Sequence, residues 1–370
     1  MKLSDAYKVV KGSIKNNTPI MLWGPPGIGK SSLIHQISEE INREVLDLRL
    51  AQLEPTDLRG VPMPNSETGR ANWYLPSFWP DRAEEETTRE IEVEEEIKDG
   101  KKTETVLVKK TIPVKAGCCP NGPGVVFLDE IEKAPVSVKN ASLQLVLDRA
   151  IGTYKLPDDW AIVCAGNREE DGCFSAPLGA ALSNRMIHLD IEPDVEAWAM
   201  WARDNNVIDD IIGFLHFKPE LLYKQTEEHA FPTPRTWVIG SNLVQSVKTQ
   251  KEQKELLGAS VGRHAAQEYT VWANVYKSVD PEAVFAGQMP DFNGKEQSFK
   301  YAVALAVAFH LRKRKGGIKK AEDHVAKFMG ILPPELRVIF LKQQSLQCME
   351  AMAKHPAFKD RVKEIMKIAT

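Results

Sequence analysis

Residues 24–31 read Gly24-Pro25-Pro26-Gly27-Ile28-Gly29-Lys30-Ser31, and what flanks them decides the fold. Before them stands a short apolar run, Pro19 to Trp23 (PIMLW). After them, Ser31 to Arg43 places Leu33, Ile34, Ile37 and Ile41 on one helical face. A strand, a glycine-rich turn and a helix opening on Lys-Ser fit the pattern GxxxxGK(S/T). Such a turn wraps phosphates with backbone N–H groups, and the helix N-terminus adds the positive end of its dipole. Gly24, Pro25, Pro26, Gly27, Ile28, Gly29, Lys30, Ser31 and Ser32 are therefore the expected nucleotide contacts. Lys30 is expected to reach the β- and γ-phosphates of ATP, and Ser31 to ligate Mg²⁺.

Outward from this P-loop, strands and helices alternate. Glu44 to Leu50 (EVLDLRL) alternates as a half-buried strand does, and Val125 to Leu128 is a continuous apolar run, the mark of a central parallel strand. Val136 to Arg149 reads as a helix with Gly152 beyond its end. Trp160 to Ala165 and Met186 to Ile191 read as two further strands. The pattern is α/β with a parallel sheet. Val125 to Leu128 ends in Asp129-Glu130, a Walker B pattern. Two carboxylates at a buried strand end, with no cation beside them in sequence, need a metal or solvent. Asp129 is expected to orient Mg²⁺ and Glu130 to polarise the attacking water.

With both motifs in place the chain resembles the AAA+ ATPases, and within them the MoxR-like branch. The resemblance implies a P-loop NTPase fold: a three-layer α/β core over 1–192, a helical lid over 193–250 and an all-α extension over 251–370. Asn167, closing WAIVCAGN, matches sensor 1, which positions the attacking water. Leu182-Ser183-Asn184-Arg185 matches the branch's LxNR motif, which implies Arg185 as the arginine finger toward a neighbouring subunit. Pro234-Arg235-Thr236 resembles sensor 2, with Arg235 acting in cis or in trans. Gln52 to Gly60 lies where the branch carries its helix-2 insert. The implied protein is a homo-oligomeric ring, a hexamer, that hydrolyses ATP to remodel or activate a client carrying a von Willebrand A-type domain. A nucleic-acid motor or restriction-type subunit is the alternative.

Residues 61–124 interrupt the α/β alternation. Their first part is rich in proline and aromatics, Trp73 and Trp79 among them, which either grip a partner or pack a satellite core. Their second part, 84–115, reads as a β-hairpin or as a disordered acidic loop. Asp99-Gly100 is a two-residue turn signal. Pairing about it sets Val93 against Val106, Ile91 against Val108 and Glu90 against Lys109. Arg149 is either a helix-end cap or a sensor of a neighbour's nucleotide. Beyond 192 the pattern is helical, with helices at Thr236, over Phe299 to Arg314 and over Glu335 to Lys354.

Composition closes off other classes. In 370 residues, 43% are apolar and 27% charged, ordinary values for a globular protein. The longest apolar stretch, Tyr301 to Phe309, is too short to span a bilayer, and the N-terminus has no apolar signal segment, so a cytoplasmic protein with no membrane partner is expected. Five scattered cysteines, Cys118, Cys119, Cys164, Cys173 and Cys348, fit a reducing compartment, and without CxxC or HExxH no zinc-type site is expected. The net charge of -3 hides a basic C-terminal part: residues 251–370 hold 20 Lys+Arg against 13 Asp+Glu. Arg312, Lys313, Arg314, Lys315, Lys319 and Lys320 make a patch for phosphate or an acidic partner, or a solvated helix end capped by Gly316.

Overall fold

Five parallel strands carry the site. The computed structural model describes residues 1–99, 102–168, 178–314, 317–318, 321–356 and 358. The chain divides into two units, Met1–Glu192 and Pro193–Thr370.

In the first unit, helix α1 (Leu3–Lys15) precedes strand β1 (Ile20–Trp23), and helix α2 (Lys30–Glu40) follows the P-loop. Then come β2 (Glu44–Arg49), α3 (Pro55–Arg59), β3 (Val61–Asn65), β4 (Arg70–Tyr74), β5 (Thr87–Asp99), β6 (Lys102–Val114) and β7 (Gly124–Asp129). Helix α4 (Val136–Asp148), the two-residue strands β8 (Ala150–Ile151) and β9 (Tyr154–Lys155), β10 (Trp160–Gly166), α5 (Ala180–Ser183) and β11 (Ile187–Asp190) complete it. The main sheet runs β11-β1-β10-β7-β2. Every pair in it is parallel, as the apolar runs predict. Met21, Val126, Leu128, Ile162 and Cys164 face one side, where α4 supplies Val138, Ala141 and Leu145. On the other side α1 and α2 pack with buried Ala6, Val10, Ile14, Leu33, Ile34 and Ile37. Helix α1 is not among the expected elements; its buried residues repeat at four-residue spacing, as an amphipathic helix requires.

Registers bring the chemistry to one height. Trp23 lies level with Gly166, and Leu128 with Cys164. The P-loop, Asp129 and Asn167 therefore all leave the same carboxyl edge, with β10 between β1 and β7. Chain order reverses at β1, where open α/β sheets place their ligands.

The insert is two ribbons. β3 and β4 pair antiparallel, with Pro62 opposite Trp73. Prolines are admitted because a two-stranded ribbon consists only of edges. Strands β5 and β6 form the expected hairpin in a different register: Val93 faces Val108, Ile91 faces Lys110, Glu90 faces Thr111, and the ladder closes on Asp99 and Lys102. The expected register would set Arg89 opposite Lys110; the observed one sets Arg89 opposite Ile112 and Glu92 opposite Lys109. Like charges directly opposite one another destabilise a ribbon, and opposite charges help it. Gly100 lies outside the described residues. Trp79 is buried, donating from Nε1 to Leu58 O at 3.0 Å and packing on Tyr154, whereas Trp73 is exposed.

The second unit is helical: α6 (Val195–Asp204), α7 (Asp209–Phe217), α8 (Pro234–Gln245), α9 (Gln250–Val261), α10 (Arg263–Lys277), α11 (Pro281–Phe285), α12 (Gln297–Lys313), α13 (Glu322–Ile331), α14 (Pro334–Lys342) and α15 (Leu346–Lys354). One core joins Trp198, Phe214, Trp237, Leu257, Trp272 and Leu305, drawn from both sides of residue 250. A second gathers around Phe328 and Phe340, and α12 feeds both, which explains its apolar stretch. The helix expected over 335–354 is broken between α14 and α15. Gln343 and Gln344 are buried there, Gln344 donating to Ala308 O at 3.2 Å, and Ser345 caps α15 by accepting from Cys348 N. No helix among the described residues is long and apolar enough to cross a membrane.

Candidate nucleotide site

The loop between β1 and α2 has the shape its glycines imply. Gly29, at φ +101°, turns the chain into α2, where a side chain would be strained. Gly24 is needed for space: a Cβ there would lie 2.7 Å from Ile191 O. Lys30 is buried at the start of α2. Its ammonium donates to Gly24 O (2.6 Å), Pro25 O (3.1 Å) and Asn167 Oδ1 (2.9 Å). Ser31 Oγ donates to Asp129 Oδ2 at 3.1 Å, and Asp129 Oδ1 accepts from Glu130 N at 2.9 Å. Hydroxyl and carboxylate from two motifs nearly 100 residues apart thus meet. Oxygen-only donors suit a hard cation such as Mg²⁺, so these residues fit the ion the P-loop implies.

Glu130 stands in the left-handed region at φ +54°, where a non-glycine residue is strained. The turn aims its carboxylate out of the sheet, partly exposed, 3.4 Å from Lys133 Nζ. It has a cation after all, three residues on.

A residue the motifs do not flag lies beneath this turn. Glu132 is only 1% exposed. Its Oε1 accepts from Asn167 Nδ2 at 3.1 Å, so Asn167 bridges Glu132 and Lys30. Lys139, also buried, donates to the backbone O of Glu132 at 2.7 Å. Burial lowers the Lys139 pKa, and the Glu132 carboxylate pulls it back up. In sequence, Ile131-Glu132-Lys133 reads as an ordinary solvated turn. Only the pairing with a residue 35 positions later buries it.

Among the described residues of the first unit, neither Arg185 nor Arg149 takes part in this hydrogen-bonded cluster. Arg185, just beyond α5, is exposed, with one long donation (3.5 Å) to Ala181 O. Arg235 lies exposed on the second unit, at the first turn of α8, which Thr233 and Thr236 cap reciprocally. Ser32 is exposed on α2. Arg149 is committed internally. It ends α4 in the left-handed region and donates to Pro157 O (2.7 Å) and Trp160 O (2.6 Å). In the basic patch, Arg312 pairs with Asp204 at 3.4 Å, Lys313 with Asp209, and Arg314 donates to Gly317 O and lies over the Phe285 ring. Lys315, Gly316, Lys319, Lys320 and Cys173 lie outside the described residues.

A P-loop, a Walker B strand end and a bridging asparagine at the edge of this parallel sheet define a nucleotide-binding P-loop NTPase domain. Residues 20–172 match the family model described as ATPase family associated with various cellular activities (AAA). That part of the chain is an AAA ATPase domain, and the fold is the AAA+ one. A 40-residue stretch is 42% identical to the replication factor C large subunit of Pyrobaculum calidifontis, covering 11% of this chain and 10% of that protein. The match therefore spans about a tenth of that relative's length. Among solved structures, the RuvB Holliday junction branch migration motor of Thermotoga maritima is 14% identical, over 77% of this chain and 74% of that one, at a TM-score of 0.37. NtrX from Brucella abortus is 13% identical, over 98% and 67%, at 0.33. Likeness this slight says nothing further about the chain.

Proposed function

We propose that the protein is a MoxR-like AAA+ ATPase that works as a homo-oligomeric ring, a hexamer, and uses ATP hydrolysis to remodel or activate a protein client, one carrying a von Willebrand A-type domain. The observation that carries the ATPase reading is the convergence of Lys30, Ser31, Asp129 and Asn167 at one sheet edge. Lys30 would exchange its loop carbonyls for the phosphates. Ser31 and Asp129 would hold Mg²⁺, which supplies charge neutralisation at the β- and γ-phosphates when bound. Glu130, partly exposed beside Lys133, would polarise the attacking water. Asn167 would help position that water.

The exposure of Arg185 supports a role in trans. Among the described residues no acid pairs with its guanidinium, which leaves it available to a neighbour's γ-phosphate, and such a finger is worth about 10³–10⁵ in rate. We read 193–250 as the lid, bearing Arg235, and 251–370 as a helical extension sharing its core. The nucleic-acid alternative is not adopted, because Arg312 and Lys313, the described cations best placed to meet phosphate, are each paired with an aspartate.

Mass by light scattering tests the proposal, with apo protein, ADP and ATP, on wild type, Glu130→Gln and Lys30→Ala. Glu130→Gln should bind ATP, assemble to a ring-sized mass and stall. Lys30→Ala should neither bind nor assemble. A monomer in every state, or normal turnover by Glu130→Gln, would overturn it. The trapped ring then serves to capture the client, and stimulation of hydrolysis by DNA that fades steeply with salt would instead restore the motor reading.

A further inference from the structure

We propose that Glu132 is the positioning residue for Asn167: it accepts from Nδ2, and so turns the amide to present its oxygen, not its nitrogen, toward Lys30 and the phosphate end of the P-loop. The inference rests on the ATPase reading above and gives Asn167 a definite polarity. A carboxylate has only acceptors, so the side of Asn167 that it touches must be the NH₂ group. The opposite side is then Oδ1, and there Lys30 Nζ lies at 2.9 Å.

While Lys30 faces Asn167, its ammonium favours the same orientation. Once Lys30 turns to the phosphates, Glu132 is, among the described residues, the side-chain partner that still holds it. An amide oxygen at that place accepts a hydrogen bond from the attacking water and so aims the water's lone pair; it does not grip a phosphate oxygen, which would need a donor. Asn167 is thereby an orienter of water.

The surroundings are built for a buried acid. Among the described residues Glu132 Oε2 has no hydrogen-bond partner, and it lies against Gly166, where a Cβ would come within 2.6 Å of it. Glycine at 166 therefore makes the space. Lys139, fastened to Glu132's own carbonyl, is the cation that makes the buried charge tolerable. Burying a carboxylate and its cation in this way costs stability that an apolar pair would not, which the hydrogen bond to Asn167 accounts for.

The test transposes the acid and the amide. Asn167→Asp alone sets two carboxylates against each other and should lower kcat about 10²-fold, the scale of a misplaced reacting group. Adding Glu132→Gln restores a donor–acceptor pair with the amide now on residue 132. An acceptor again faces Lys30, and kcat should recover at least about tenfold. Glu132→Met with Asn167→Asp removes the same charge without supplying a donor, and should not recover. All the changes are close to isosteric. Affinity for a fluorescent ATP analogue and the melting temperature, measured on the same proteins, should show binding intact where kcat is lost.

Recovery with Gln and not with Met supports the inference. Equal recovery with both, or no recovery with Gln while the wild type hydrolyses ATP, overturns it and leaves the ATPase reading standing. A wild type that binds but never hydrolyses ATP, alone or assembled, overturns both.

Discussion

Arg149 and Arg185 both stand just beyond the end of a helix, the first committed to internal carbonyls and the second exposed. Arg149→Ala is the sharper case. The backbone bonds of residue 149, from its N to Leu145 O and from Leu156 N to its O, survive any substitution. What is lost is the pair of donations from Nη2 to Pro157 O and Trp160 O. A hydrogen bond from a charged donor is worth about 1.5–3 kcal/mol, and the two share one nitrogen, so they do not add in full. Burial of the guanidinium, which lowers its pKa against the pull of Asp158 and Asp159, returns part of that on removal. The net loss is about 2–3 kcal/mol. Glycine at 149 should do better than alanine by about 1 kcal/mol, because the residue sits at φ +53°. Hydrogen exchange of the β10 amides measures this directly: in Arg149→Ala they should exchange about 30- to 150-fold faster, with Arg149→Gly between mutant and wild type. Unchanged exchange together with collapsed ATP hydrolysis would refute the reasoning, and would make Arg149 a nucleotide sensor after all.

Arg185→Ala should leave stability within about 0.5 kcal/mol, as an exposed substitution does, while lowering ATP hydrolysis about 10³-fold or more. Mixing it with Glu130→Gln, which is expected to bind ATP and assemble, should return part of the activity if the finger acts across subunits, since each variant supplies what the other lacks; no recovery would place the finger in cis. The second unit should lose stability on mild acidification. His216 is buried, with Glu196, Arg203 and Lys342 around it, and burial holds its pKa down at about 4, below the ordinary 6.5. The unfolded chain takes up the proton first, so the contribution is complete above pH 6.5 and lost as pH falls toward 4. Urea midpoints between pH 7 and 4.5 should fall in wild type and flatten in His216→Gln; parallel curves would refute the assignment.

The sheet and the P-loop were legible because their signals are local: an apolar run, a glycine turn and a helical face within 25 residues of one another. The hairpin was legible in kind but not in register. Sliding β5 against β6 by two residues keeps every side chain on its own face. Apolar matching favours the expected register, which pairs Val93 with Val106 and Ile91 with Val108; the observed one sets Ile91 against Lys110 but removes the like-charge pair Arg89–Lys110 and sets Glu92 against Lys109. The break between α14 and α15 was hidden for a related reason. The helical period carries on through Gln343 and Gln344, which are buried at the break, and the local mark of it is Ser345, the cap of α15.

Glu130 and Glu132 show why a motif names one carboxylate and misses the other. They are two residues apart in one turn, identical in chemistry, and no propensity distinguishes them. The left-handed backbone at Glu130 sends the first outward to the partly exposed sheet edge, where the proposed attacking water would stand, and it continues into the turn that sends the second inward beneath Gly166. A consensus marks the residue that meets the substrate. The residue that sets the polarity of a partner 35 positions later carries no local signature, because its role exists only once β7 and β10 lie side by side. The strain at Glu130 and the buried charge at Glu132 are thus two costs of one backbone turn. A catalytic edge accounts for both together, whereas a merely structural turn would need neither.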